Sequence, residues 1–168
     1  MNSGELYSQI LKDCDRMIRQ IAFVHFPHKE WLEDLYQEIY LNIWQSLEKF
    51  KGNSSVTTYI YRIACNVSIL YAKKRSNYLN NEVSLDDLPN LYNFVRNEAD
   101  DTLIQELYVL ICKLNSYEKS IITLYMEGLS HEEIAKIIGI TKTNVGTKIS
   151  RIVQKLKQFN IEIKNDRF

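Results

Sequence analysis

Three groups of residues in this chain have types and spacings that could do chemistry. The carboxylates Glu30, Glu33, Asp34 and Glu38 lie close together on what reads as one helix and could in principle hold a divalent ion. Oxygen cages for such ions draw ligands from more than one element, and none converges from a second segment, so a metal-dependent enzyme is the weakest reading. Asp34, Gln37, Glu38 and Leu41 instead form one outward strip, because steps of three, four and seven residues share a helix face. Taken alone, such a strip is most simply a solvated helix face; with Leu41 and the nearby Trp44, docking of a basic partner helix is the alternative. His25 and His28 are spaced i, i+3, but without a neighbouring cysteine they read as helix-end residues rather than zinc ligands. A different chemistry is suggested by Tyr59, Arg62, Asn66 and Lys73, which share a helical face ahead of the run Lys73-Lys74-Arg75. Rings stack on unpaired bases and cations neutralise phosphates, so this face suits single-stranded nucleic acid. Tyrosine packing with cations drawn to a helix C-terminus explains the segment equally well.

The least ambiguous stretch is GLSHEEIAKIIGITKTNVGTKISR, Gly128 to Arg151. Ser130 with Glu133 three residues later is a reciprocal capping box that opens a short helix. Ala135 is small where two helices must cross, Gly139 can close the helix in the left-handed conformation, and Thr141 can cap the next one. In that second helix Val145, Ile149, Ile152 and Leu156 recur on one stripe, leaving Thr143, Thr147, Ser150 and Gln154 outward. This reads as a helix-turn-helix whose outward face could lie in a major groove; the plainer alternative, an ordinary helical hairpin in a core, does not need Ala and Gly at these offsets.

The elements that must position these residues are helices throughout, since Gly and Pro are scarce and apolar residues fall at steps of three and four. Leu6, Ile10, Cys14, Met17, Ile21 and Val24 mark a first helix ending near Pro27. Leu32, Leu35, Ile39, Ile43 and Leu47 mark a second, from Lys29 to Glu48. After the loop Lys51-Gly52-Asn53-Ser54-Ser55, the residues Ile60, Ile63, Val67 and Leu70 mark the inner face of a third. Periodicity then fails through an Asn-rich acidic stretch containing Pro89, and resumes with Leu103, Leu107, Leu110 and Leu114, followed by a helix after Ser116 containing Ile121, Ile122, Leu124 and Tyr125. The expected fold is all-α: two small helical domains, 1–77 and 100–160, joined by a flexible acidic linker, 78–99, with a C-terminal tail, 161–168. The second domain is expected to be a four-helix unit built on the helix-turn-helix.

The net charge of zero would be odd for a DNA-binding protein if it were evenly spread. It is segregated: residues 1–78 hold ten Lys/Arg against eight Asp/Glu, residues 79–107 one against seven, and residues 108–168 ten against six. Two mildly basic blocks therefore flank an acidic connector, and local charge is what meets phosphate. Cys14, Cys65 and Cys112 are isolated and odd in number, which predicts reduced, packed thiols in a cytoplasmic protein. No leader or membrane-spanning segment is read, and no cofactor or metal is expected.

Three motifs in order make the chain similar to one family, the extracytoplasmic-function (ECF) bacterial sigma factors, over about residues 5 to 158. EDLYQEIYLNIWQSLEKF, Glu33 to Phe50, resembles the family's Asp-Leu-x-Gln-Glu pattern. TYIYRIACNVSILYAKKR, Thr58 to Arg75, resembles its Tyr-Arg-Ile-Ala-x-Asn pattern with a basic helix end. LNSYEKSIITLYMEGLS leads into the helix-turn-helix. The resemblance implies a non-enzymatic factor that binds core RNA polymerase and directs promoter-specific initiation. It implies docking of Asp34, Gln37, Glu38 and Leu41 on the β′ clamp helices, and recognition and melting of the minus-ten element by Lys51, Asn53, Ser54, Tyr59, Arg62, Asn66 and Lys73. Lys142, Thr143, Thr147, Lys148 and Arg151 would contact minus-thirty-five DNA while their domain packs on the β flap. The acidic linker would thread toward the RNA exit channel, and an anti-sigma protein is an implied partner. A stand-alone helix-turn-helix regulator of duplex DNA is the other functional reading.

The chain departs from the family pattern at Tyr59, where Trp is usual, at Cys65, where Arg is common, and at Asn115, where Pro is frequent. Gly146 and Val153 stand at positions often basic in relatives. That loses phosphate neutralisation, and for Gly146 the expectation is a closer backbone approach to DNA.

Overall fold

The computed structural model describes residues 3–75 and 102–166, and within them every regular element is an α-helix. The expected linker, 78–99, lies outside the described residues. The chain divides into two compact units, 1–81 and 82–168.

In the first unit, α1 (Ser3–His25), α2 (Lys29–Leu47) and α3 (Val56–Arg75) pack against one another in all three pairings. The break between α1 and α2 falls at Pro27, which cannot continue a hydrogen-bonded helix; His28 takes an extended conformation and its carbonyl accepts the first bonds of α2, from Trp31 and Leu32. Cys14, Met17, Ile18, Ile21 and Val24 of α1 meet Leu32, Leu35, Ile39, Ile43 and Leu47 of α2 in the core. At its edge α1 and α2 are tied by polar contacts: Asp15 accepts from Tyr40 and, at 2.9 Å, from Arg19, whose guanidinium lies 4.8 Å over the Tyr36 ring.

The inner face of α3 differs from expectation. Ile60 and Val67 are buried, but Ile63 is only half-buried and Leu70 is 56% exposed, while Ala64, Ser68 and Tyr71 face inward. Both registers fit a 3.6-residue period. The choice is settled by Tyr71, whose larger ring fills the core beside Phe26 while its own hydroxyl finds a carboxylate partner.

The second unit contains α4 (Thr102–Ile111), α5 (Ser116–Met126), α6 (His131–Ile138) and α7 (Lys142–Asp166), with α7 packing on the other three. Its core combines Tyr108, Ile111 and Leu114 with Ile121, Leu124, Ile134, Val145 and Ile152. Leu103 is exposed rather than inward, because the buried face of α4 begins a turn later at Tyr108; Tyr125 is likewise exposed at the end of α5. α7 runs on past residue 160 to Asp166.

Candidate nucleic-acid and partner interfaces

The helix-turn-helix is built as its residues dictate. Ser130 Oγ accepts from the Glu133 amide at 3.2 Å and Glu133 returns a carboxylate oxygen to the Ser130 amide at 2.8 Å. These bonds hold the Glu133 carboxyl below its ordinary range. Gly139 ends α6 at φ 82°, ψ 35°, and Thr141 Oγ1 accepts from the Asn144 amide at 3.2 Å to start α7. Val145, Ile149, Ile152 and Leu156 are buried. Lys142, Thr143, Thr147, Lys148 and Arg151 are all exposed on the opposite side, and no carboxylate among the described residues pairs with the three cations. Thr147 Oγ1 donates to the Thr143 carbonyl at 3.2 Å.

Gly146 does not face outward with them. A Cβ there would point at the His131 ring, at an ordinary contact distance of 3.5 Å from Nδ1, so the missing side chain lies on the side facing α6 and not on the outward surface. His131 in turn lies 5.9 Å from the Tyr125 ring. Lys155, further along α7, is committed to an ion pair with Glu118 at the start of α5. There Asn115 supplies a second capping box, with its Oδ1 accepting from the Glu118 amide at 3.0 Å. That box was readable in Asn115-x-x-Glu118, and it accounts for an asparagine where proline is frequent.

On the first unit, Asp34, Gln37 and Leu41 are exposed along α2 and Glu38 is half-buried beside them. Leu41 and Trp44 are each 56% exposed, so two large apolar side chains stand uncovered within an acidic strip. Asp34 is not an isolated carboxylate. Its Oδ2 accepts from the Tyr71 hydroxyl at 2.6 Å and from Arg75 at 3.2 Å, and the Arg75 guanidinium stacks 3.6 Å from the Tyr71 ring centroid and 5.4 Å from that of Trp31. The sequence reading missed this cluster because it joins residues some forty positions apart across α2 and α3. Among the described residues, no three His, Cys, Asp or Glu side chains are arranged to hold a metal ion.

In the loop before α3, Lys51 and Asn53 are exposed and Ser54 is half-buried, with Gly52 at φ 73° making the bend. Ser55 Oγ accepts from the Thr58 amide at 3.1 Å and caps α3. Arg62, Asn66 and Lys73 are exposed along the helix, with Leu70 among them. Tyr59 is engaged differently: its ring rests on Phe50, 4.9 Å between centroids, and its hydroxyl donates to the Ser46 carbonyl, because a half-buried phenol needs an acceptor. Burial pushes the Cys14 thiol up and the Cys112 thiol up to about 12, away from the reactive thiolate form. No described helix is long and apolar enough to cross a membrane.

A helix-turn-helix with a free cationic face, in one chain with a three-helix unit carrying an acidic-apolar strip and a polar-cationic helix, defines a bipartite helical transcription factor. Residues 10–78 match the model of Sigma-70 region 2, and residues 104–156 that of Sigma-70 region 4. The chain is 30% identical over 163 residues to the RNA polymerase sigma factor YlaC of Bacillus subtilis (strain 168), covering 92% of this chain and 89% of that protein. It is 28% identical to the ECF sigma factor SigW of the same organism, over 92% and 88% of the two chains. Against the ECF sigma-E factor of Haemophilus influenzae it is 33% identical, over 72% and 68%. The fold is similar to that of the sigma factor RpoE from Bartonella quintana, solved with the anti-sigma factor NepR, with a TM-score of 0.69 and 18% identity over 90% of this chain and 94% of that one. The chain belongs to the ECF family of RNA polymerase sigma factors and directs promoter-specific transcription initiation.

Proposed function

We propose that the two units divide promoter recognition between them. Asp34, Gln37, Glu38 and Leu41 dock on the β′ clamp helices of core polymerase, and the second unit packs on the β flap. Lys51, Asn53, Ser54, Arg62, Asn66 and Lys73 receive the melted minus-ten strand, with Tyr59 supporting the loop through Phe50 and Ser46. Lys142, Thr143, Thr147, Lys148 and Arg151 enter the minus-thirty-five major groove. The factor contributes binding and strand capture, with no catalytic group of its own, and an anti-sigma protein is its regulatory partner, by analogy with the RpoE relative.

The observation that carries the docking assignment is the uncovered pair Leu41 and Trp44 within a carboxylate strip. Apolar anchors ringed by polar groups are what a partner surface presents before it is covered. Unstacking a captured base costs a few kcal/mol, a scale that polar and stacking contacts can repay. The test is reconstitution: the chain added to sigma-free core should yield promoter-specific transcripts, and Asp34→Lys should weaken core binding with helicity intact. Tight duplex binding without any core association would instead identify a stand-alone regulator. Unchanged core affinity in folded Asp34→Lys would remove the strip from the docking role.

A further inference from the structure

We infer that Tyr71 and Arg75 are positioning residues for the docking carboxylate of Asp34, so that α3 serves polymerase docking on one side and promoter DNA on the other. The inference rests on the docking role proposed for Asp34. In sequence, Arg75 is the third cation of Lys73-Lys74-Arg75 and reads as an extension of the nucleic-acid face. The helix forbids that. At roughly 100° per residue, Arg75 lies about 200° around the axis from Lys73. Arg62, Asn66 and Lys73 share one side of α3, while Tyr71 and Arg75 share the other, facing α2.

What Arg75 does there is fixed by its surroundings. Its side chain is 27% exposed, and its guanidinium is held over the rings of Tyr71 and Trp31 while one nitrogen donates to Asp34 Oδ2. Tyr71 is 1% exposed, wedged edge-on against Phe26 at 5.3 Å between centroids, so its hydroxyl is aimed by the core. Burial together with the bond to Asp34 raises that phenol above its ordinary range, which keeps it protonated and donating. Both donors use Oδ2, so Oδ1 is the oxygen left for a partner's cation, on a side chain still 55% exposed. A carboxylate held in one orientation loses less conformational freedom on docking than one that must be ordered at the moment of contact.

The test is a mutant cycle on the full chain, with sigma-free core polymerase as the ligand. Asp34→Asn should weaken core binding. Tyr71→Phe and Arg75→Gln should each weaken it about three- to tenfold, the scale of ordering one rotamer-rich side chain. In the Asp34→Asn background both should cost nothing further, because their effect passes through that carboxylate. Arg75→Lys should recover only part of the loss, since an ammonium keeps the charge without the planar stacking. In the assembled holoenzyme, Lys73→Gln should lower the salt dependence of promoter binding and Arg75→Gln should not.

The possible failures are distinct. No effect of Asp34→Asn on core binding would overturn the docking role, and the inference with it. If Asp34→Asn weakens binding but Tyr71→Phe and Arg75→Gln do not, the docking role stands and the positioning role falls. Equal losses from Arg75→Gln with and without Asp34 would also overturn the inference, since they would report general damage or a separate contact. A reduced salt slope in Arg75→Gln would return the residue to the phosphate-binding set.

Discussion

Two glycines in the helix-turn-helix should respond to the same substitution with opposite signs. Gly139 sits at φ 82°, where an alanine meets no neighbour within 4 Å, so the cost of Gly139→Ala is purely that of the left-handed backbone. For an L-residue that is about 1–2 kcal/mol. Gly146 lies inside α7 with ordinary helical backbone, and its added methyl would meet the His131 ring at 3.5 and 3.6 Å, normal contact distances. Gly146→Ala should therefore gain most of the helix-propensity difference, about 0.5–1 kcal/mol. For a domain of this size each kcal/mol moves the midpoint by roughly 4–8 °C, giving a fall of about 4–16 °C at Gly139 and a rise of roughly 2–8 °C at Gly146. The assay separates the two units cleanly, because both tryptophans, Trp31 and Trp44, lie in α2. Thermal unfolding followed by far-UV circular dichroism should show the shifts, while tryptophan fluorescence should not move. A neutral Gly139→Ala, or a destabilising Gly146→Ala, would refute the distinction between a glycine that its left-handed backbone requires and one that the helix only tolerates.

Acid should weaken the first unit through His28. Burial lowers its imidazole below the ordinary value of 6.5 despite the opposing pull of Glu30, so the folded state holds it neutral. The unfolded chain takes up a proton as pH falls through 6.5 while the folded chain resists; the stabilisation is present above that value and is lost below it. Denaturant midpoints read by tryptophan fluorescence should fall between about pH 7.5 and 5.5, and His28→Gln should flatten the decline; an equal decline in both proteins would exclude His28 as its source. On the second unit, Arg151→Ala should reduce affinity for a minus-thirty-five duplex and lower the salt slope by about 1 if it meets a phosphate; an unaltered slope would remove it from that contact.

The helix-turn-helix was legible residue by residue because its determinants are local. Ser130 with Glu133, Gly139, and Thr141 each act within four residues, and the buried stripe of α7 follows from its period alone. Tertiary choices were not legible in the same way. Leu70 and Tyr71 are adjacent, both apolar enough to face inward, and it is the positions of Phe26 and of Asp34 on another helix that decide that the tyrosine is buried and the leucine is not. The same limit applies to Tyr59, which has the composition of a base-stacking residue until Phe50 and Ser46 are seen to engage it. Gly146 looked like an opening toward DNA because sequence offset does not reveal that His131 stands at its missing side chain. In each case the residue type was read correctly and its neighbour across a helix pair was what mattered.

In the groove-reading role proposed for α7, the internal bond of Thr147 would bias what the helix reads. Its hydroxyl proton is donated back to the Thr143 carbonyl one turn earlier. Held so, the side chain presents lone pairs and a methyl group outward, and no donor. Against a major-groove edge, such a group can accept from the amino group of adenine or cytosine and can touch the methyl of thymine. It has nothing to give the two acceptors of guanine, which would have to be read by a cation instead.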